Sequence, residues 1–284
     1  MSRLSKQLLP RQAINFLRHF RHFIYLVLLP VDYVNRAING KADFPPVHLR
    51  RYVGPLRSFE ASGAEFTAYL RLLAELQPKD SILDVGCGCG LMAIFLKDYL
   101  DEEGRYTGVD IHRPSISWCA RNIGERHPNF RFEHIDVKNQ AFNPKGTHSA
   151  EDYSFPFEAH AFEVILLKSV FTHMRPAEVE NYLQEVSRLL KRGGRCLVSF
   201  FLLNDEQARL ATKERQRLQF NFGDGVWRYV YEQRAESAVA YEESYILDLL
   251  RKCGLVLQGK IYYGTWTGRS DGLSFQDILL LKKG

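Results

Sequence analysis

The chain has 284 residues, 45% of them hydrophobic, a formal net charge of +5 and five cysteines. That is ample apolar material for one large globular core with a small appendage. With an odd cysteine count and no paired ligand spacing, reduced cysteines are the default expectation, and the mild positive charge does not by itself imply nucleic acid.

The N-terminal sixty residues differ from the rest. Arg3, Lys6, Arg11, Arg18 and Arg21 precede an apolar run from Phe23 to Val31 that Pro30 breaks. The run is too short to span a bilayer as a helix, and it lacks a convincing leader cleavage site. Ala13, Phe16, Leu17, Phe20, Phe23, Ile24 and Val27 fall on one helical face, with Arg11, Asn15, Arg18 and His22 elsewhere. Such a basic amphipathic helix fits a membrane interface, and equally a helix docked over the domain that follows. The spacing of Phe66, Tyr69, Leu70, Leu73 and Leu76 predicts a helix over 63–76 that packs on a sheet.

Pro78-Lys79-Asp80 then turns into the most informative stretch, Ser81-Ile82-Leu83-Asp84-Val85-Gly86-Cys87-Gly88-Cys89-Gly90. A short strand ends in an acid, three glycines follow at alternate positions, and an apolar helical pattern runs from Leu91 to Leu100. Strand, glycine loop and helix form the entrance of a nucleotide-type cofactor site, because the backbone can turn tightly there and the helix N-terminus offers free N–H groups. The dinucleotide fingerprint G-x-G-x-x-G is not met, since Leu91 stands where its third glycine belongs. Asp84 suits a ligand with a positive group. A tight turn in some other α/β protein is the plainer alternative for the loop alone. Cys87 and Cys89 read as small loop residues; no second Cys/His pair completes a C-x-C metal site.

Tyr106-Thr107-Gly108-Val109-Asp110 predicts a second strand ending in an acid, and Arg131-Phe132-Glu133-His134-Ile135-Asp136 a third. Phe162–Leu167 predicts a fourth, buried strand. A helix should open at Pro176, a favoured first-turn residue, and end near Leu190 before Gly193-Gly194 and a fifth strand. A polar and aromatic insert occupies about 203–240. A helix over 242–253 should stop at Gly254, and strands over 255–263 and 273–281 should form an antiparallel hairpin at the sheet edge, with Trp266-Thr267-Gly268-Arg269 at its tip.

The D-x-G-x-G-x-G pattern and the order of these elements resemble the class I S-adenosylmethionine-dependent methyltransferases over about 62–202, and more loosely beyond. The resemblance implies an α/β, Rossmann-like, doubly wound seven-stranded sheet, mostly parallel with an antiparallel C-terminal hairpin strand. It implies an extension and linker over 1–60 and a methyltransferase domain over 61–284. The implied cofactor is S-adenosyl-L-methionine: Asp84, Gly86, Cys87, Gly88 and Gly90 at the methionine end, Asp110 on the ribose, Ile111 against the adenine face, Asp136 and Val137 at the adenine edge, and Lys168 beside them. Each acid also fits a helix N-cap after a strand.

The loop Lys168-Ser169-Val170-Phe171-Thr172-His173-Met174 lies at the C-terminal edge of the fourth strand, where it should face the cofactor. His173 is the candidate base, or a residue that braces the loop. No Asp/Asn-Pro-Pro-aromatic or Pro-Cys motif follows that strand, and Phe44-Pro45-Pro46 reads as a linker. Phe220, Phe222, Trp227, Tyr229 and Tyr231 form either an acceptor lid or ordinary packing. Arg50, Arg51, Tyr52 and Arg57 either reach an anionic acceptor or stay solvated. The resulting expectation is O-methylation of a small sugar, glycolipid or lipid-like acceptor by a cytoplasmic enzyme, with a possible contact to a membrane surface and no nucleic-acid partner. The rivals are an RNA- or protein-directed methyltransferase and an inactive binding subunit.

Overall fold

The computed structural model describes residues 24, 25, 27–140, 142–210 and 218–284. The helix expected over 13–27 therefore lies almost wholly outside the described residues. The chain enters through α1 (Leu29–Ile38), α2 (Val47–Arg50) and a 3-10 turn (Leu56–Ser58), which leads directly into α3 (Phe59–Leu72). There follow β1 (Ser81–Val85), α4 (Leu91–Leu96), β2 (Arg105–Asp110), α5 (Arg113–Cys119), β3 (Phe130–His134), β4 (Phe162–Leu167), α6 (Pro176–Leu189) and β5 (Leu190–Phe200). After a short insert, α8 (Glu243–Lys252), β9 (Leu255–Leu257) and β10 (Asp277–Lys283) complete the chain.

The strands form one seven-stranded sheet in the order β3-β2-β1-β4-β5-β10-β9. β1 pairs in parallel with both β2 and β4, and β10 runs antiparallel to β5 and β9. Alternate residues of β1 serve two separate cores. Ile82 packs with Phe66 and Leu70 of α3 and Leu91 of α4, whereas Leu83 and Val85 pack with Val179, Leu183 and Val186 of α6. Burial on both faces explains why the central strands read as continuous apolar runs. Each fully buried aliphatic side chain there contributes about 1.5–3 kcal/mol.

Several boundaries differ from the sequence reading. α3 begins at Phe59 rather than 63, because Phe59 is itself a core residue, and ends before Leu76, which is buried outside the helix. The final strands are shorter than expected, but they do form the antiparallel pair at the sheet edge. β10 lies between β5 and β9, and β9 stops at Leu257, before Gly259 turns with φ of 69°. Trp266 is not at an exposed tip. It is 1% exposed, and its Nε1 donates to the buried Asp277 carboxylate at 3.0 and 3.1 Å.

The insert builds a second sheet, β6-β8-β7, from β6 (Leu202–Leu203), β7 (Trp227–Tyr229) and β8 (Val239–Glu242), with α7 (Asp205–Leu210) between β6 and β7. Its aromatics pack on one another and on neighbouring segments: Trp227 with Tyr229 at 5.0 Å, and Phe220 with Phe201 and Trp266, both at 5.4 Å. No helix among the described residues is long and apolar enough to cross a membrane.

Candidate active site

The parallel strands all deliver their C-terminal ends to one side of the sheet, and a cavity of about 940 Å³ opens there. Gly86, Gly88 and Gly90 have φ of 76°, 56° and 81°, all in the left-handed region. A Cβ at Gly86 would lie 2.7 Å from the Val170 methyl, and one at Gly88 2.7 Å from that of Val53. The glycines therefore serve both the turn and the close approach of the segments before α3 and after β4. Gly86, Cys87 and Gly88 line the cavity. Gly90 does not; it caps α4 in the left-handed conformation, so its contribution is the turn alone.

Asp84 sits at the cavity floor, 2% exposed, and accepts a 2.6 Å hydrogen bond from the Tyr106 hydroxyl. Burial pushes its carboxyl up to about 7; the Tyr106 bond and Lys168 pull against this, and Asp110 adds to it. Lys168 lines the same cavity with its Nζ 4.8 Å from the Phe66 ring centre, and burial lowers its pKa against the pull of Asp84 and Glu65. A buried carboxylate with one hydroxyl donor is a fitting partner for an ammonium group.

Asp110 ends β2 and holds the loop from the other side. Its Oδ2 accepts from the Gly88 amide and its Oδ1 from the His112 amide, both at 2.7 Å. It lines the cavity with Ile111, and Val137 lines it from the segment after β3. Asp136 does not. Its carboxylate accepts from Asn143 Nδ2 at 3.0 Å and Thr147 Oγ1 at 2.8 Å, closing the turn after β3. A strand-end acid followed by a turn rich in donors engages that turn, so the carboxylate expected at the adenine edge already holds two local partners.

His173 lines the cavity. Its Nδ1 lies 2.9 Å from the Glu236 carbonyl, which can only accept, so Nδ1 carries the proton. Burial lowers the His173 pKa and favours the neutral ring. Of the expected lid, the cavity takes Leu218 and none of the five named aromatics. Phe220 packs on Phe201 and Trp266, and Tyr229 on Trp227 and Phe222. Arg51 and Tyr52 reach the cavity, whereas Arg50 is held by Asp32 and Arg57 is exposed.

The sequence reading missed three sets of lining residues. His112, next after Ile111, stacks its ring 4.4 Å from that of Tyr52. Glu178 opens α6, where its carboxylate accepts from the Arg175 amide at 2.6 Å. Gln276 has its Oε1 held by the Ser169 and Ser199 hydroxyls, both at 2.8 Å, and Ser169 is one of the few non-glycine residues with positive φ, 59°. Only Glu178 stood beside a sequence signal, the helix start at Pro176. Among the described residues no group of three or more His, Cys, Asp or Glu is placed to hold a metal ion.

The fold and this strand-end site define a class I methyltransferase architecture, and residues 82–194 match the family model described as a methyltransferase domain. Over those residues and in its fold the chain is similar to the class I S-adenosylmethionine-dependent methyltransferases. Two solved structures share the fold. The 1,6-didemethyltoxoflavin-N1-methyltransferase of Burkholderia thailandensis, solved with S-adenosylhomocysteine, has a TM-score of 0.51 at 18% identity and covers 92% of this chain and 89% of its own. PH0226 from Pyrococcus horikoshii has a TM-score of 0.54 at 16% identity, over 80% of this chain and 91% of its own.

Among curated proteins, the tRNA N(3)-cytidine methyltransferase METTL2 of Xenopus tropicalis is 36% identical over 157 residues, 54% of this chain and 43% of that protein. Its namesake from Danio rerio is 29% identical over 158 residues, 54% of this chain and 41% of that protein. The chain thus spans less than half the length of these relatives. Their names overturn the expectation of a small-molecule acceptor without a nucleic-acid partner. The sequence reading went wrong there because it sought an added RNA-binding module and strong basicity.

Proposed function

We propose that the chain methylates a base in RNA, with cytidine of tRNA the first acceptor to test. The observation that carries this is the 36% identity over 157 residues to a protein named for that activity. The residues of the site suit the cofactor. Asp84 offers a buried carboxylate, and no Cβ at Gly86 or Gly88 blocks the floor. When bound, S-adenosylmethionine supplies a methyl group already activated by its sulfonium.

What remains for the protein is alignment, worth about 7–11 kcal/mol in favourable cases. In this reading Asp84 holds the ammonium, Asp110 accepts from the ribose hydroxyls, and Ile111 and Val137 flank the adenine. N3 of neutral cytosine carries a lone pair and no proton, so no base is needed for that acceptor. His173 then acts as a positioning residue, its neutral Nε2 able to accept from the exocyclic amine. The Watson–Crick edge is reachable only in an unpaired or extruded base, and a cavity wide enough for both cofactor and base accommodates that.

The test is incubation of the chain with methyl-labelled cofactor and bulk tRNA, followed by nucleoside mass spectrometry. Label in 3-methylcytidine is expected. Calorimetric cofactor binding with no label in any RNA nucleoside would refute the proposal.

A further inference from the structure

Helix α1 is docked inside out. Tyr25, Leu29, Asp32 and Arg36 face the domain, and the anchors on that face are polar. Asp32, its side chain 8% exposed, accepts from Arg36 Nε at 3.0 Å and from the Val47 amide at 3.1 Å, and pairs with Arg50. Arg36 also donates to the Ala42 and Phe44 carbonyls at 3.0 and 2.6 Å. The opposite face carries Val31, Val34 and Ile38, which are 66, 53 and 79% exposed, and Val27, 60% exposed, continues the stripe just before the helix. Single exposed aliphatics are ordinary, but four at helical spacing make a continuous stripe over three turns. An amphipathic helix that spends its polar face on the domain leaves its apolar face for another phase.

We propose that this face of α1 seats on an anionic lipid surface. The charge of the adjoining chain argues for this occupant. The thirty-one residues before Asp32 contain Arg3, Lys6, Arg11, Arg18 and Arg21 and no Asp or Glu. That basic segment is covalently joined to α1, and its charge attracts anionic headgroups. A second copy docked symmetrically through α1 would instead bring two such segments together, and like charges repel. The helix lies in the interface plane with its valines in the acyl boundary, and it does not span. The inference is independent of the RNA acceptor proposed above.

Flotation of the full chain with vesicles decides the matter, using phosphatidylcholine alone and phosphatidylcholine mixed with phosphatidylserine. The native chain is expected to float with the mixed vesicles and about tenfold less with phosphatidylcholine alone. The double variant Val31→Glu, Val34→Glu is expected to lose about tenfold in partitioning. Both substituted residues are exposed, so its thermal transition and its calorimetric affinity for S-adenosylhomocysteine should match the native chain. Equal flotation of the variant, or no flotation of the native chain with either vesicle, overturns the proposal. So does a native dimer in gel filtration that the double variant converts to monomer, because the face then belongs to a second copy.

Discussion

Asp84 shows how one carboxylate couples folding, pH and ligand. Burial moves its pKa from 3.8 to about 7, so the folded chain holds this proton more tightly than the unfolded chain does. The ionised group therefore costs stability above about pH 7, by on the order of 4 kcal/mol, and the cost disappears as pH falls from 7 towards 4. Asp84→Asn should raise the thermal midpoint of the ligand-free chain at pH 8 by several degrees, with the gap closing towards pH 4; scanning calorimetry at several pH values checks this. A ligand ammonium meeting Asp84 reverses the sense. Affinity for S-adenosylhomocysteine should fall up to about tenfold per unit below pH 7 in the native chain, and this dependence should vanish in the Asn variant. Asp110 has its oxygens on two backbone amides, so Asp110→Ala should loosen the glycine loop and weaken calorimetric cofactor affinity by about tenfold or more. Unchanged affinity would contradict the proposed ribose role.

At the scale of elements, Asp277 is the joint between the large sheet and the insert. As the first residue of β10 it accepts from the Leu202 and Gly264 amides, both at 2.7 Å, and from the Trp266 indole. Asp277→Ala leaves these buried donors unsatisfied and should cost about 3 kcal/mol in denaturant unfolding, with Asp277→Asn costing less. Nothing in the sequence around 266–277 announces this joint, because its partners come from Leu202, seventy-five positions earlier, and from a tryptophan that composition places in a turn. The strand-loop-helix at 81–96 was legible for the opposite reason. Its strand, its acid and its glycines are contiguous, and three positive φ values demand glycine locally. The end of β3 was half legible: Val137 reaches the cavity, while Asp136 turns to Asn143 and Thr147.

Across the whole molecule, the walls of the cavity come from segments far apart in the chain: Arg51 to Val53, the glycine loop, the ends of β2 and β4, Glu178, Leu218 and Gln276. Net charge is only +5, so RNA binding should rest on few phosphate contacts. About three neutralised phosphates predict roughly a twenty- to fortyfold loss of RNA affinity between about 50 and 200 mM salt, measurable by filter binding. A salt-independent affinity would argue against the RNA reading.

The sequence by itself determined the sheet, the cofactor class and the strand-loop-helix that carries the glycines, because strand periodicity, left-handed glycines and strand-end acids act within a few residues of one another. Tertiary structure alone decided that β10 slots between β5 and β9, that Asp136 bonds to the turn after β3, that Phe220 packs on Phe201 and Trp266, and that α1 turns its valines outward. Each of these depends on a hydrogen bond or buried contact between residues distant in the chain, and local pattern carries no record of such partners.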